Sequence, residues 1–177
     1  MAAGWHKTSF LLVALGLLAI GVTGRLLADD EEVAVERSYA KMQEAPRNES
    51  QQDADAKSAG CISCHTKSDA PSMHDNVAVV LGCADCHGGD ASVKAPAGLA
   101  AADPQYAVLR DHAHVLPRYP QDWDYPHSAN PKESYTLLNK EAPEFVRFVN
   151  PSDYRVARQS CGACHLPEIQ ADRKSTL

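Results

Sequence analysis

Three five-residue units share one pattern: Cys61-Ile62-Ser63-Cys64-His65, Cys83-Ala84-Asp85-Cys86-His87 and Cys161-Gly162-Ala163-Cys164-His165. Together they use all six cysteines of the 177-residue chain. Two cysteines three positions apart, followed at once by a histidine, can hold a porphyrin covalently. Each thiol adds to one vinyl group as a thioether, and the imidazole becomes the proximal ligand of the iron. Zinc also takes Cys-x-x-Cys pairs, and two units would supply four ligands. It asks for no histidine after every second cysteine, however, and the third unit would be left over. Three disulfides would suit an exported chain with an even cysteine count, but each would close a tiny loop and restrain little of the unfolded chain. The spacing therefore predicts three covalently bound haems c, anchored by Cys61, Cys64, Cys83, Cys86, Cys161 and Cys164, with His65, His87 and His165 on the irons.

Each iron then needs a sixth ligand. Beyond the proximal histidines and His6 the chain holds His74, His112, His114 and His127, four for three irons. Bis-histidine ligation with one histidine left over is the expectation. Thioether ligation by Met42 or Met73 would raise the potential, but Met42 lies in an acidic stretch and Met73 stands beside the more basic His74. His74 falls in the link between the first two units, which start 22 residues apart, and is expected near both. In "RDHAHVLPRYP", His114 adjoins Val115 and Leu116, which could line a haem face, whereas His112 beside Asp111 reads as more solvated. Pro117, Pro120 and Pro126 predict an irregular path there. His127 follows Trp123 and Tyr125, whose rings could stack near a porphyrin.

The chain resembles the multihaem c-type cytochromes over residues 61–165. Within that span "CISCH…MH…LGCADCHGG" is similar to paired-haem segments of larger multihaem cytochromes, octahaem oxidoreductases included. "PEFVRFVNPSDYRVARQSCGACH" is similar to segments of large members that continue well beyond it. Here the chain ends 12 residues after His165, and the resemblance allows both a complete small protein and the front of a longer one.

Composition fits a cofactor-filled interior. Phe, Trp and Tyr make up 6% of the residues and mean hydropathy is -0.35, which leaves little apolar material for a core. A net charge of -6, with no basic stripe, excludes nucleic acid as a natural partner. At the N-terminus Lys7 precedes 13 apolar residues from Phe10 to Val22. That run is short of the roughly 20 residues a spanning helix needs. It favours a cleaved export signal over residues 1–28, with cleavage near Gly24, above a membrane anchor extended through Leu26, Leu27 and Ala28. In both cases the remainder is expected in the periplasm or outside the cell. Residues 29–59 are acidic, with helix-forming composition from Asp30 to Glu44 and a polar, Pro46-broken tether after it. Asn48 begins an Asn-Glu-Ser sequon of little weight.

The working domain, residues 60–177, is expected to be mainly α-helical with long irregular loops and little or no β-sheet, a small cofactor-organised multihaem cytochrome fold. Val77 to Leu81 reads as a helix leading into the second unit, stopped by Gly88 and Gly89. Pro143 opens a short helix closed by Asn150 and Pro151. Ser152 or Asp153 caps a helix carrying the third unit on its last turn. Arg147, Arg155, Arg158, Arg173 and Lys174 lie around that unit. They read either as a solvated helix face or as partners of haem propionates.

Closely spaced haems conduct electrons. The expectation is an exported trihaem electron carrier or relay without its own substrate site, serving redox partner proteins. The alternatives are an electron-feeding part of a larger multihaem oxidoreductase and a module of a cytochrome assembly.

Overall fold

The computed structural model describes residues 33–66, 74 and 76–175. The export signal or anchor, the start of the acidic helix and Met73 lie outside these residues. From Ala34 onward the chain gathers into one unit. Among the described residues it is mostly helical, with long loops and a lone bridge between Trp123 and Pro131 in place of any strand.

Six α-helices follow in order: α1 (Gln51–Ala56), α2 (Ala59–Cys64), α3 (Cys83–His87), α4 (Pro104–Ala113), α5 (Pro143–Val149) and α6 (Ala157–Asp172). Two 3₁₀ turns, Pro120–Asp122 and Tyr135–Asn139, lie between α4 and α5. The local signals explain most boundaries. Ser50 caps α1 by accepting the Asp53 N–H at 3.1 Å, and Asp103 caps α4 by accepting that of Gln105 at 2.8 Å. Pro143 opens α5 where its missing N–H costs nothing. Gly88 and Gly89 end α3 with φ of 72° and 78°, a left-handed backbone that a side chain would disfavour.

Other expectations fail for tertiary reasons. Residues 33–49 form no helix; they run irregularly along the body, held by long-range hydrogen bonds. Val35 N–H donates to Arg118 O at 2.7 Å and Ala45 N–H to Gln159 O at 2.8 Å. The stretch read as a tether instead holds α1. Val77 to Leu81 is also non-helical, because Val80 N–H is taken by the Asn48 side chain at 2.9 Å. The "RDHAH" stretch is helical up to Ala113, and only His114 turns to extended backbone. The helix of the third unit begins at Ala157, later than a cap at Ser152 or Asp153 requires. It runs past His165 with a kink there (φ -112°, ψ 21°), one turn's reach from Pro167.

The apolar core is small: Trp123, Leu138, Phe145, Val146 and Val156, with Val115, Tyr125 and Val149 against it. Trp123 meets Phe145 edge-on at 4.8 Å, and its indole N–H donates to Glu141 at 3.0 Å. The buried Glu141 carboxylate also accepts the main-chain N–H groups of Arg118 and Tyr119 at 2.7 and 3.0 Å. This core includes Phe145 and Val146 of α5, the helix against which α3 packs.

Candidate functional site

The three cysteine units come together although the third lies far along the chain. The first occupies α2, the second α3, and α3 packs against both α5 and α6. The α2–α3 junction is closed by Cys83 N–H donating to Ser58 Oγ at 3.0 Å and Ala84 N–H to Lys57 O at 3.2 Å. Lys57 bridges the buried Asp85 at 2.7 Å and Glu49. Burial raises the Glu49 carboxyl. Asp85, though also buried, is held below its usual range by hydrogen bonds with Glu49 and Lys57. Gly60 is needed where it stands: a Cβ there would sit 2.3 Å from Val93 O, since the 91–95 loop lies against α2. No two of the six cysteines are joined in a disulfide. The Cys61 thiol hydrogen bonds to the Cys83 sulfur, which holds the Cys83 thiol down at about 5 and pushes Cys61 up.

Two pairs of imidazoles stand out. His65 of the first unit faces His114, with ring centres 6.0 Å apart and planes at 26°. His165 of the third unit faces His74, with centres 6.3 Å apart and planes at 9°. Two imidazoles binding one metal ion from opposite sides, with metal–nitrogen bonds of about 2 Å and about 1.2 Å from nitrogen to ring centre, hold their centres roughly 6.4 Å apart. Both pairs match that span. His74 therefore stands beside the third unit, which lies far along the chain from it.

His114 is held neutral. Burial, then the charge of His65, pulls its pKa down to about 4, and its Nδ1 is hydrogen bonded to the Tyr125 hydroxyl. A ring nitrogen fixed in this way leaves Nε2 to coordinate. The Tyr125 ring packs against His114 and Phe145, and Trp123 belongs to the apolar core. His127 is exposed, in a turn where its N–H donates to Asp124 O at 2.8 Å. Among the described residues no imidazole pair includes it.

His87 of the second unit is exposed and hydrogen bonds through Nδ1 to Phe148 O at 2.8 Å. It lines a cavity of about 940 Å³ together with Met42, Gly89, His112 and Arg147. His112 is exposed on the last turn of α4, and the neighbouring Ala113 O accepts the Asp90 N–H at 2.8 Å, which fixes that turn beside the end of α3. Among the described residues no group of three or more His, Cys, Asp or Glu side chains is gathered to hold a bare metal ion. The tetrahedral set of a closed zinc site is not assembled there.

The basic residues separate into different roles. Arg147 is 3% exposed and spends its guanidinium on main-chain carbonyls: Cys86 O at 2.9 Å, and Asp85 O and Gln43 O. It is a buried clamp rather than a solvated residue, and burial lowers its pKa. Arg155 pairs with Asp153 at 2.7 Å, while Arg158, Arg173 and Lys174 are exposed. Sequence reasoning missed Phe148 and the clamp role of Arg147, because neither residue type signals a main-chain partner far along the chain. Beside the third unit, Ser160 Oγ and Gln159 Oε1 are buried without a protein partner among the described residues.

No family model, curated protein or solved structure matches the chain.

Proposed function

We propose that the protein is an exported trihaem c-type cytochrome that carries single electrons between redox partner proteins in the periplasm or outside the cell. The observation that carries this reading is the pairing of unit histidines with distant histidines across an iron-sized gap, His65 with His114 and His165 with His74. Covalent anchorage at each Cys-x-x-Cys-His unit would hold the haems where the apolar core is too small to enclose them. Bound haem supplies the one-electron chemistry; the chain supplies spacing, axial ligands and burial, which set potential. His65 and His114 would ligate the first haem, and His165 and His74 the third. For the second, His87 is the proximal ligand, and His112, which lines the same cavity, is the remaining histidine beside it. His127 is left over.

The intact mass of the mature protein tests this reading, since it counts attached haems and marks any signal cleavage together. Three haems are expected; fewer overturn it. Ligation is tested with carbon monoxide on the reduced protein. The wild type is expected to take up none, whereas His112→Gly is expected to open one haem to CO and His127→Gly to leave all three closed. CO uptake by the wild type would favour the alternative, a portion of a larger multihaem oxidoreductase with its own substrate site.

A further inference from the structure

Phe148, on the last turn of α5, touches two imidazoles, that of His87 in the second unit and that of His114, the partner of His65 in the first. Its main-chain carbonyl is hydrogen bonded to His87 Nδ1 at 2.8 Å. Its ring lies against His114, with centres 4.9 Å apart and planes at 49°. His114 is the partner of His65 in the first unit, and His87 belongs to the second. One residue thus braces the distal imidazole of one site with its side chain and the proximal imidazole of the next with its backbone.

The surroundings leave Phe148 little freedom. Val146 and Arg147 before it are buried to 1% and 3% exposure, and Arg147 ties α5 to the carbonyls of Asp85 and Cys86, immediately before His87. Gly89 completes the seat: a Cβ there would lie 3.1 Å from Phe148 Cε2, so the absence of a side chain lets the ring approach the end of α3. The Tyr125 hydroxyl also holds His114 Nδ1. The imidazole is thereby braced by a ring contact and a hydrogen bond.

We infer that Phe148 is a positioning residue that couples the first and second haem sites, its ring setting the plane of His114 and its carbonyl fixing the tautomer and basicity of His87. This inference rests on the trihaem reading. A histidine that donates its second N–H to a carbonyl is a stronger ligand held in one orientation, and the orientation of an axial imidazole is recorded in the electron paramagnetic resonance of a low-spin ferric haem. The two halves of the role can be separated, because substitution at Phe148 removes the ring and keeps the carbonyl.

The test is Phe148→Leu in the full-length, haem-loaded protein, with Phe148→Tyr as the conservative control, read by intact mass, paramagnetic resonance and redox titration. The expected result is three haems with a changed resonance and a shifted potential for the first haem alone, restored by Phe148→Tyr. Three haems with an unmoved first haem would overturn the coupling, as would equal shifts in all three, which mark general loosening of the fold. If Phe148→Leu does not accumulate, Phe148→Met removes the ring with a longer apolar side chain while leaving the Phe148 carbonyl in place; an unmoved first haem in that variant overturns the inference as well. Fewer than three haems in the wild type would overturn the trihaem reading itself, so the two failures are distinct.

Discussion

Under the proposed trihaem ligation, replacing His74 with methionine is expected to raise the reduction potential of one haem, the one at Cys161 and Cys164, and leave the other two in place. The reason is the spacing of the near-parallel His74 and His165 rings, whose centres 6.3 Å apart match the span of two imidazoles on one metal ion. A thioether stabilises ferric iron less than an imidazole does, so a change from His/His to His/Met ligation moves the potential upward. Axial ligands span roughly 0.8 V in all, and about a tenth of that range or more is expected here. A redox titration followed by paramagnetic resonance assigns the shift to a haem. Movement of the haem at Cys61 and Cys64 would refute the pairing, since that site has His114 opposite His65. His74→Gly supplies the complementary result, a high-spin third haem with the first and second still low-spin.

The second large effect is expected at Arg147. Its guanidinium, 3% exposed, is hydrogen bonded to three carbonyls, those of Gln43, Asp85 and Cys86. Arg147→Met keeps much of the side-chain volume and leaves these carbonyls without their donor in a site where water enters poorly. Hydrogen bonds to a charged group are worth about 1.5 to 3 kcal/mol each, and they are not additive within one cluster. The expected loss of stability is therefore about 3 to 5 kcal/mol. Denaturant unfolding of the haem-loaded protein measures it, and a loss below about 1 kcal/mol would show that the clamp is not what holds residues 43 and 85–86 to α5. Arg147→Lys retains the charge but not the planar fork, so partial recovery is expected.

The parts of this structure that were legible beforehand are those decided within a few residues. Pro143 opening α5 and Gly88 with Gly89 ending α3 are backbone matters, settled by a ring that fixes φ or by the lack of a Cβ. The helical class and the long loops follow from the same punctuation. Residues 33–49 show the opposite case. Their composition favours a helix, but hydrogen bonds to Arg118 and Gln159 hold them in an irregular path along the body, so long-range partners outweigh a weak local preference. Val77 to Leu81 departs from helix likewise, with Asn48 taking one of its main-chain donors.

The candidate site divides along the same line. By itself the sequence determined which residues make up the three Cys-x-x-Cys-His units and which histidines remain as possible partners, because those statements concern residue type and spacing over five positions. Only the tertiary structure decided that His74 stands opposite His165, that His114 stands opposite His65, and that Tyr125 and Phe148 serve imidazoles. Each of these choices joins residues from separate helices and loops. Which imidazole meets which unit depends on how α3 packs against α5 and α6 and on the buried Arg147 that fastens them. No spacing along the chain encodes that packing.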